Sequence, residues 1–116
     1  MTNKKLFSMA FSAILASSLV FSTAALAGGN AKDGKKIYDQ NCTTCHGPKG
    51  KGDGAASAAL NPKPRNFAEG KFKYGKTDAE LVKFIKTGKG PMPPWGGVLK
   101  DKQIEDVLAY IKTLKK

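Results

Sequence analysis

Residues 42–46 read Cys42-Thr43-Thr44-Cys45-His46. These five positions hold both cysteines and the only histidine of a 116-residue chain, so thiol, redox or metal chemistry using those side chains is concentrated there. A Cys-x-x-Cys-His run is the attachment signature of a c-type haem. Two thiols three positions apart can each add to one vinyl group of a porphyrin. The adjacent imidazole then lies beneath the ring, where it can bind the iron. The spacing follows from the fixed separation of vinyl groups and metal. Other readings fit this chain less well. A thioredoxin-like redox pair needs a βαβ setting. Zinc needs four ligands, and only carboxylates remain to complete the set. A Cys42–Cys45 disulfide would close too small a loop to restrain the unfolded chain.

Upstream of this run, residues 1–27 read as a secretory signal peptide. Lys4 and Lys5 precede an apolar stretch over residues 6–21, and Ala25-Leu26-Ala27 supplies the small-x-small end. The apolar run is short and broken by serines for a membrane anchor, and no cysteine follows Ala27 for a lipid anchor. Cleavage there leaves 89 of the 116 residues, a domain of residues 28–116. That length allows one small domain and excludes doubly wound dinucleotide-binding folds and barrels. A domain so small is short of core, and exported proteins of this size usually add disulfides, a metal or a cofactor. With two cysteines so close in sequence, a covalently held cofactor is the expected addition.

The hydrophobic pattern is helical throughout. Residues 32–41 carry Ile37 and Tyr38 among charges and read as a short helix. Residues 47–54 alternate glycine with Pro48, Lys49, Lys51 and Asp53, which makes a loop. Ala55 to Leu60 suits a single turn of small residues, and Pro62 and Pro64 bar regular helix through Asn66. Thr77 and Glu80 form a capping box. The helix they open sets Leu81, Val82, Phe84 and Ile85 on one face and stops at Gly88. A last helix over residues 101–114 spaces Ile104, Val107, Leu108, Ile111 and Leu114 helically, with Lys100 a poor N-cap. No strand pattern or repeat occurs. The expected fold is all-α, three to five short helices around one covalently attached haem.

A haem iron has a sixth position. Once residues 1–27 are gone, Met92 is the single methionine, and the chain offers no second His and no free Cys. Met92 lies in Gly90-Pro91-Met92-Pro93-Pro94-Trp95-Gly96, where flanking prolines limit the entropy lost in holding a weak thioether on a metal. The competing reading is a methionine that fills a gap. His/Met ligation raises the potential and leaves no open site for substrate. It therefore suits electron transfer rather than catalysis, and no enzymatic activity is expected.

These features together resemble class I monohaem cytochrome c over residues 28–116. The shared pattern is Cys-x-x-Cys-His after an N-terminal helix, a Met in a later Pro/Gly-rich loop, and an amphipathic last helix. The resemblance implies that the first and last helices cross closely, with Gly34 and Tyr38 on one and Tyr110 and Ile111 on the other. It implies that a carbonyl near a proline accepts a hydrogen bond from His46, and Pro62 is the position matched to it. Lys63-Pro64-Arg65-Asn66-Phe67 resembles a segment near the haem in bacterial members. Arg65 is then either a propionate partner or a surface arginine, and Trp95 either a propionate donor or a core residue.

The whole chain carries a net charge of +11, and +9 once Lys4 and Lys5 leave with the signal. Most of these lysines read as a solvated surface. The sharper expectation is a positive ring around the haem edge that steers docking onto an acidic redox protein. Nucleic acid is a poor candidate, because export separates the chain from it and no binding motif occurs. The expected protein is a monomeric, soluble, periplasmic one-electron carrier without stable membrane insertion after signal cleavage. A dedicated cytochrome subunit of an oxidoreductase complex is the alternative, as is a haem sensor or peroxidase-like enzyme if Met92 is not a ligand.

Overall fold

The computed structural model describes residues 28–116, and the signal-peptide expectation for residues 1–27 lies outside them. The first helix, α1 (Ala31–Asn41), starts where the Asn30 side chain accepts from the Lys32 and Asp33 amides, filling two of the orphan donors of the first turn. It stops at Cys42, whose N–H still reaches the Tyr38 carbonyl at 2.9 Å. The short α2 (Thr43–His46) follows at once, so the Cys42-to-His46 run is itself a helical turn. Two 3-10 turns, Ser57–Ala59 and Phe67–Glu69, punctuate the long connection to the third helix. The first answers to the expected turn of small residues. The second, capped by Asn66 onto the Ala68 amide, has no forerunner in the hydrophobic pattern.

α3 (Asp78–Thr87) opens on the expected capping box. Thr77 Oγ1 accepts from the Glu80 amide at 3.2 Å, and Glu80 accepts from the Thr77 amide at 3.1 Å and the Lys76 amide at 2.7 Å. α4 (Asp101–Thr113) starts with half of such a box, because a lysine ammonium has no lone pair to cap with. Gln103 alone reaches back, accepting from the Lys100 amide at 2.9 Å.

α4 is the spine of the fold. Its Ile104, Val107, Leu108 and Ile111 are buried together with Ile37 and Tyr38 of α1 and Leu81 and Ile85 of α3. α1 crosses α4 at Gly34, where an added Cβ would lie 1.8 Å from the Asp106 carbonyl oxygen. Only glycine lets the two backbones approach so closely. One turn on, Tyr38 is fully buried, meets Tyr110 edge-on at 5.2 Å, and donates its hydroxyl to the Gly47 carbonyl at 2.7 Å. The expected crossing thus occurs, with an aromatic pair beside the glycine. α3 packs on α4 as well, and the space between them opens toward α2. Among the described residues there are four α-helices and no strand, only an isolated bridge between Lys89 and Met92. The all-α expectation is met.

Candidate haem site

A cavity of about 530 Å³ lies between α2, α3, α4 and the two long loops. That is a fitting volume for one sizeable cofactor. All seven residues singled out in the sequence line it: Cys42, Cys45 and His46 from the start of the chain, Pro62 and Arg65 from the middle, Met92 and Trp95 from the later loop. The remaining wall is mostly apolar, with Leu81, Phe84 and Ile85 from α3, Leu99 from the turn before α4, and Val107 and Leu108 from α4. Segments far apart in sequence meet here because each presents apolar surface that α4 alone cannot cover.

His46 is held by two contacts. Its ring nitrogen Nδ1 lies 3.2 Å from the Arg65 carbonyl oxygen. A carbonyl only accepts, so Nδ1 carries the proton and Nε2 keeps its lone pair. Phe67 stacks on the imidazole, with centroids 4.5 Å apart and planes 19° from parallel. Burial lowers the His46 pKa, partly countered by the Arg65 carbonyl, which favours the neutral ring a metal requires. The bond corrects one expectation. Pro62 lines the cavity, but the carbonyl meeting His46 belongs to Arg65, three residues later and just beyond Pro64. The reason lies in the glycine loop. Gly52 donates to the His46 carbonyl at 2.8 Å and Gly54 to the Cys45 carbonyl at 3.1 Å. The same loop holds the 64–67 segment: Phe67 donates to the Gly50 carbonyl at 2.6 Å, and a Cβ on Gly52 would lie 2.4 Å from the Pro64 oxygen. Residues 47–54 are therefore a buckle that carries the Arg65 carbonyl to the ring. Closely spaced glycines were the visible signal, but their partners are remote.

Cys42 and Cys45 are unpaired and half-buried. Burial, then the neighbouring Cys45, pushes the Cys42 thiol up to about 12. The Met92 loop is fixed at both ends. Lys89 and Met92 exchange backbone hydrogen bonds of 3.0 and 3.1 Å. Trp95 and Gly96 donate to the Ile85 and Lys86 carbonyls at 3.1 Å each, occupying acceptors that the end of α3 would otherwise leave open. Met92 and Trp95 are half-buried against the core. The Arg65 guanidinium is engaged within its own segment, donating from Nε to the Lys71 carbonyl at 2.6 Å and facing Glu69 at 3.4 Å. It is thus the backbone of Arg65, rather than its charge, that meets a residue of the attachment motif.

The family described as "Cytochrome C oxidase, cbb3-type, subunit III" matches residues 29–111. The chain belongs to the cytochrome c family. It is 36% identical over 109 residues to cytochrome c6 of Nostoc sp., covering 93% of this chain and 91% of that one. It is also 36% identical over 85 residues to the cbb3-type cytochrome c oxidase subunit FixP of Azorhizobium caulinodans, covering 72% of this chain but only 27% of FixP. Among solved structures, cytochrome c6 from the diatom Phaeodactylum tricornutum superposes with a TM-score of 0.55 at 25% identity, over 73% of this chain and 93% of that one. As a cytochrome c the chain carries one covalently attached haem c and serves electron transport. The cavity fits that group: it offers paired thiols, a neutral imidazole with one nitrogen free, a thioether, and an apolar wall. Among the described residues no helix is long and apolar enough to cross a membrane.

Proposed function

We propose that this cytochrome c is a periplasmic one-electron carrier with His46 and Met92 as axial ligands and Cys42 and Cys45 as thioether anchors. The observation that carries the reading is the single cavity lined by all four side chains, with Met92 brought there by a loop pinned at both ends. When bound, the haem supplies a one-electron ferric/ferrous couple. The protein does the rest. His46 is oriented by the Arg65 carbonyl and Phe67, which fix its tautomer and ring plane and increase its basicity as a ligand. The prolines flanking Met92 and the bonds from Trp95 and Gly96 hold the thioether loop, so neither oxidation state requires the chain to rearrange. The apolar wall excludes water, which favours the less charged, reduced form. With His46 and Met92 both holding the iron, no position would be left on it for a substrate.

A second reading has its own support: the family match and the FixP relative are oxidase subunits. In that reading the chain is a cytochrome module that works inside an oxidoreductase complex. Export to the periplasm, a monomeric state and docking onto acidic redox proteins belong to the first.

The test is an absorption spectrum of the haem-loaded protein, oxidised and reduced, with carbon monoxide added last, beside a Met92→Ala variant. The carrier reading expects low-spin bands in both states, a ferric iron–thioether charge-transfer band and indifference to carbon monoxide. Met92→Ala loses the charge-transfer band and binds carbon monoxide. Rapid carbon monoxide binding by the unaltered protein would overturn the assignment of Met92 and point to a sensing or catalytic haem. Stable co-purification with a larger complex would favour the module.

A further inference from the structure

The charges of this chain are unevenly compensated. Among the described residues six ion pairs join Lys35 to Asp39, Lys36 to Asp33, Arg65 to Glu69, Lys86 to Asp101, Lys102 to Asp106 and Lys112 to Asp78. They use six of the chain's nine carboxylates. None of the nine lines the cavity, whereas Lys63, Lys73 and Lys89 do. All three lysines are exposed and take part in no ion pair among the described residues.

Two of these lysines converge on an aromatic ring. The Lys89 ammonium lies 4.5 Å from the centroid of Tyr74, and the Lys73 ammonium 5.3 Å from it. Tyr74 is 37% exposed, one of two large hydrophobic residues left at the surface among the described residues. It stacks on Phe84 at 4.9 Å with planes 20° apart, and both rings line the cavity. The result is a rigid aromatic step from the cofactor cavity to solvent, flanked by uncompensated positive charge. Aromatic rings of this kind serve as interface anchors because they bury much area at little entropic cost. Cations over a ring also keep their charge available to a partner's carboxylates.

We propose that Tyr74, with Lys73 and Lys89, is the contact on which an acidic redox protein docks, so that the electron enters or leaves on the α3 side of the cavity. This rests on the carrier reading above and places its docking face. One electron leaves the partner and reduces the ferric protein, or the reverse, and no other group changes. Surface charge on α1, at Lys32 for example, contributes only to long-range steering.

The experiment uses the haem-loaded protein and, as probe, reduced flavodoxin, chosen for its acidic surface and not as a physiological partner. Stopped-flow reduction of the ferric protein is followed at low ionic strength for wild type, Lys89→Glu, Lys73→Glu, Tyr74→Leu, Tyr74→Phe and Lys32→Glu. Ferricyanide oxidation of the ferrous protein is followed in parallel as the small-anion arm. The expected result is a loss on the order of tenfold in flavodoxin rate for Lys89→Glu and Lys73→Glu, diminishing with salt. Lys32→Glu, the same change in net charge, costs less than about twofold. Tyr74→Leu slows flavodoxin by more than it slows ferricyanide, and Tyr74→Phe restores the flavodoxin rate. Equal losses for Lys32→Glu and Lys89→Glu would overturn the proposal in favour of diffuse net charge. Lysine effects in both arms without a Tyr74→Leu effect would reduce it to anion steering. A wild-type spectrum lacking low-spin bands would instead sink the ligation reading, independently of these ratios.

Discussion

Replacing Gly52 with alanine tests whether the glycine loop places the carbonyl that orients His46. Gly52 sits at φ +77°, and its added Cβ would lie 2.4 Å from the Pro64 oxygen. A carbon–oxygen contact needs about 3.3 Å, so residues 64–65 must retreat by about 1 Å. Carried to the next carbonyl, that retreat lengthens the 3.2 Å His46–Arg65 bond to about 4 Å, outside hydrogen-bond range. A bond of this kind is worth about 0.5–1.5 kcal/mol. If that is lost from the ferric state alone, the potential rises by about 20–65 mV, at 59 mV per tenfold for one electron. The sign is upward because a less basic imidazole stabilises ferric iron less. The left-handed backbone costs alanine a further ~1–2 kcal/mol, lowering Tm by about 5–15 °C. Redox titration and thermal melting of the haem-loaded variant measure both. Gly97→Ala is the control, since nothing lies within 4 Å of its added Cβ. A folded Gly52→Ala variant with a lowered Tm and a potential within about 10 mV of wild type would refute the claim that this loop tunes His46.

Two further outcomes concern the scaffold. Gly34→Ala gains about 1 kcal/mol of helix propensity, but its Cβ lands 1.8 Å from the Asp106 oxygen, forcing α1 off α4 and breaking the Tyr38–Tyr110 contact. The expected net loss is about 2 kcal/mol, a Tm drop of about 10 °C, and a melt at or above wild type would contradict it. Asp106 is buried, which raises its pKa, yet bonds from the Lys102 ammonium and the Asn30 amide outweigh burial and hold it below the usual carboxylate range. Its folded pKa being depressed, its contribution is present above about pH 4 and is lost as pH falls through the folded value. Asp106→Asn keeps an acceptor for Asn30 and forfeits the charge, so its urea midpoint should fall less steeply with acid than wild type. Parallel acid limbs would refute the assignment.

What was legible in advance follows from locality. The attachment motif, the Thr77–Glu80 capping box and the apolar faces of α3 and α4 are each set by residues within a few positions, where spacing dictates geometry. The 3-10 turn at Phe67–Glu69 was not legible, because three residues leave no periodicity and its cap depends on the single side chain of Asn66. The resemblance matches the hydrogen-bond partner of His46 to the neighbourhood of Pro62, whereas the carbonyl that meets it is that of Arg65. A proline marks where the chain is stiff, whereas the acceptor is chosen by how far the glycine loop draws residues 64–67 inward.

By itself the sequence determined the helical class, the attachment turn and the identity of the candidate ligands, since two cysteines, one histidine and a single methionine in residues 28–116 leave almost no choice. Tertiary structure decided which carbonyl meets the imidazole, that Phe67 stacks upon it, and that the Arg65 guanidinium turns to Glu69 and Lys71. It also decided that Lys73 and Lys89, from separate loops, flank the exposed ring of Tyr74. These depend on contacts between residues many positions apart. Their distances are set by how closely α1, α3 and the loops close on α4, which no local pattern encodes.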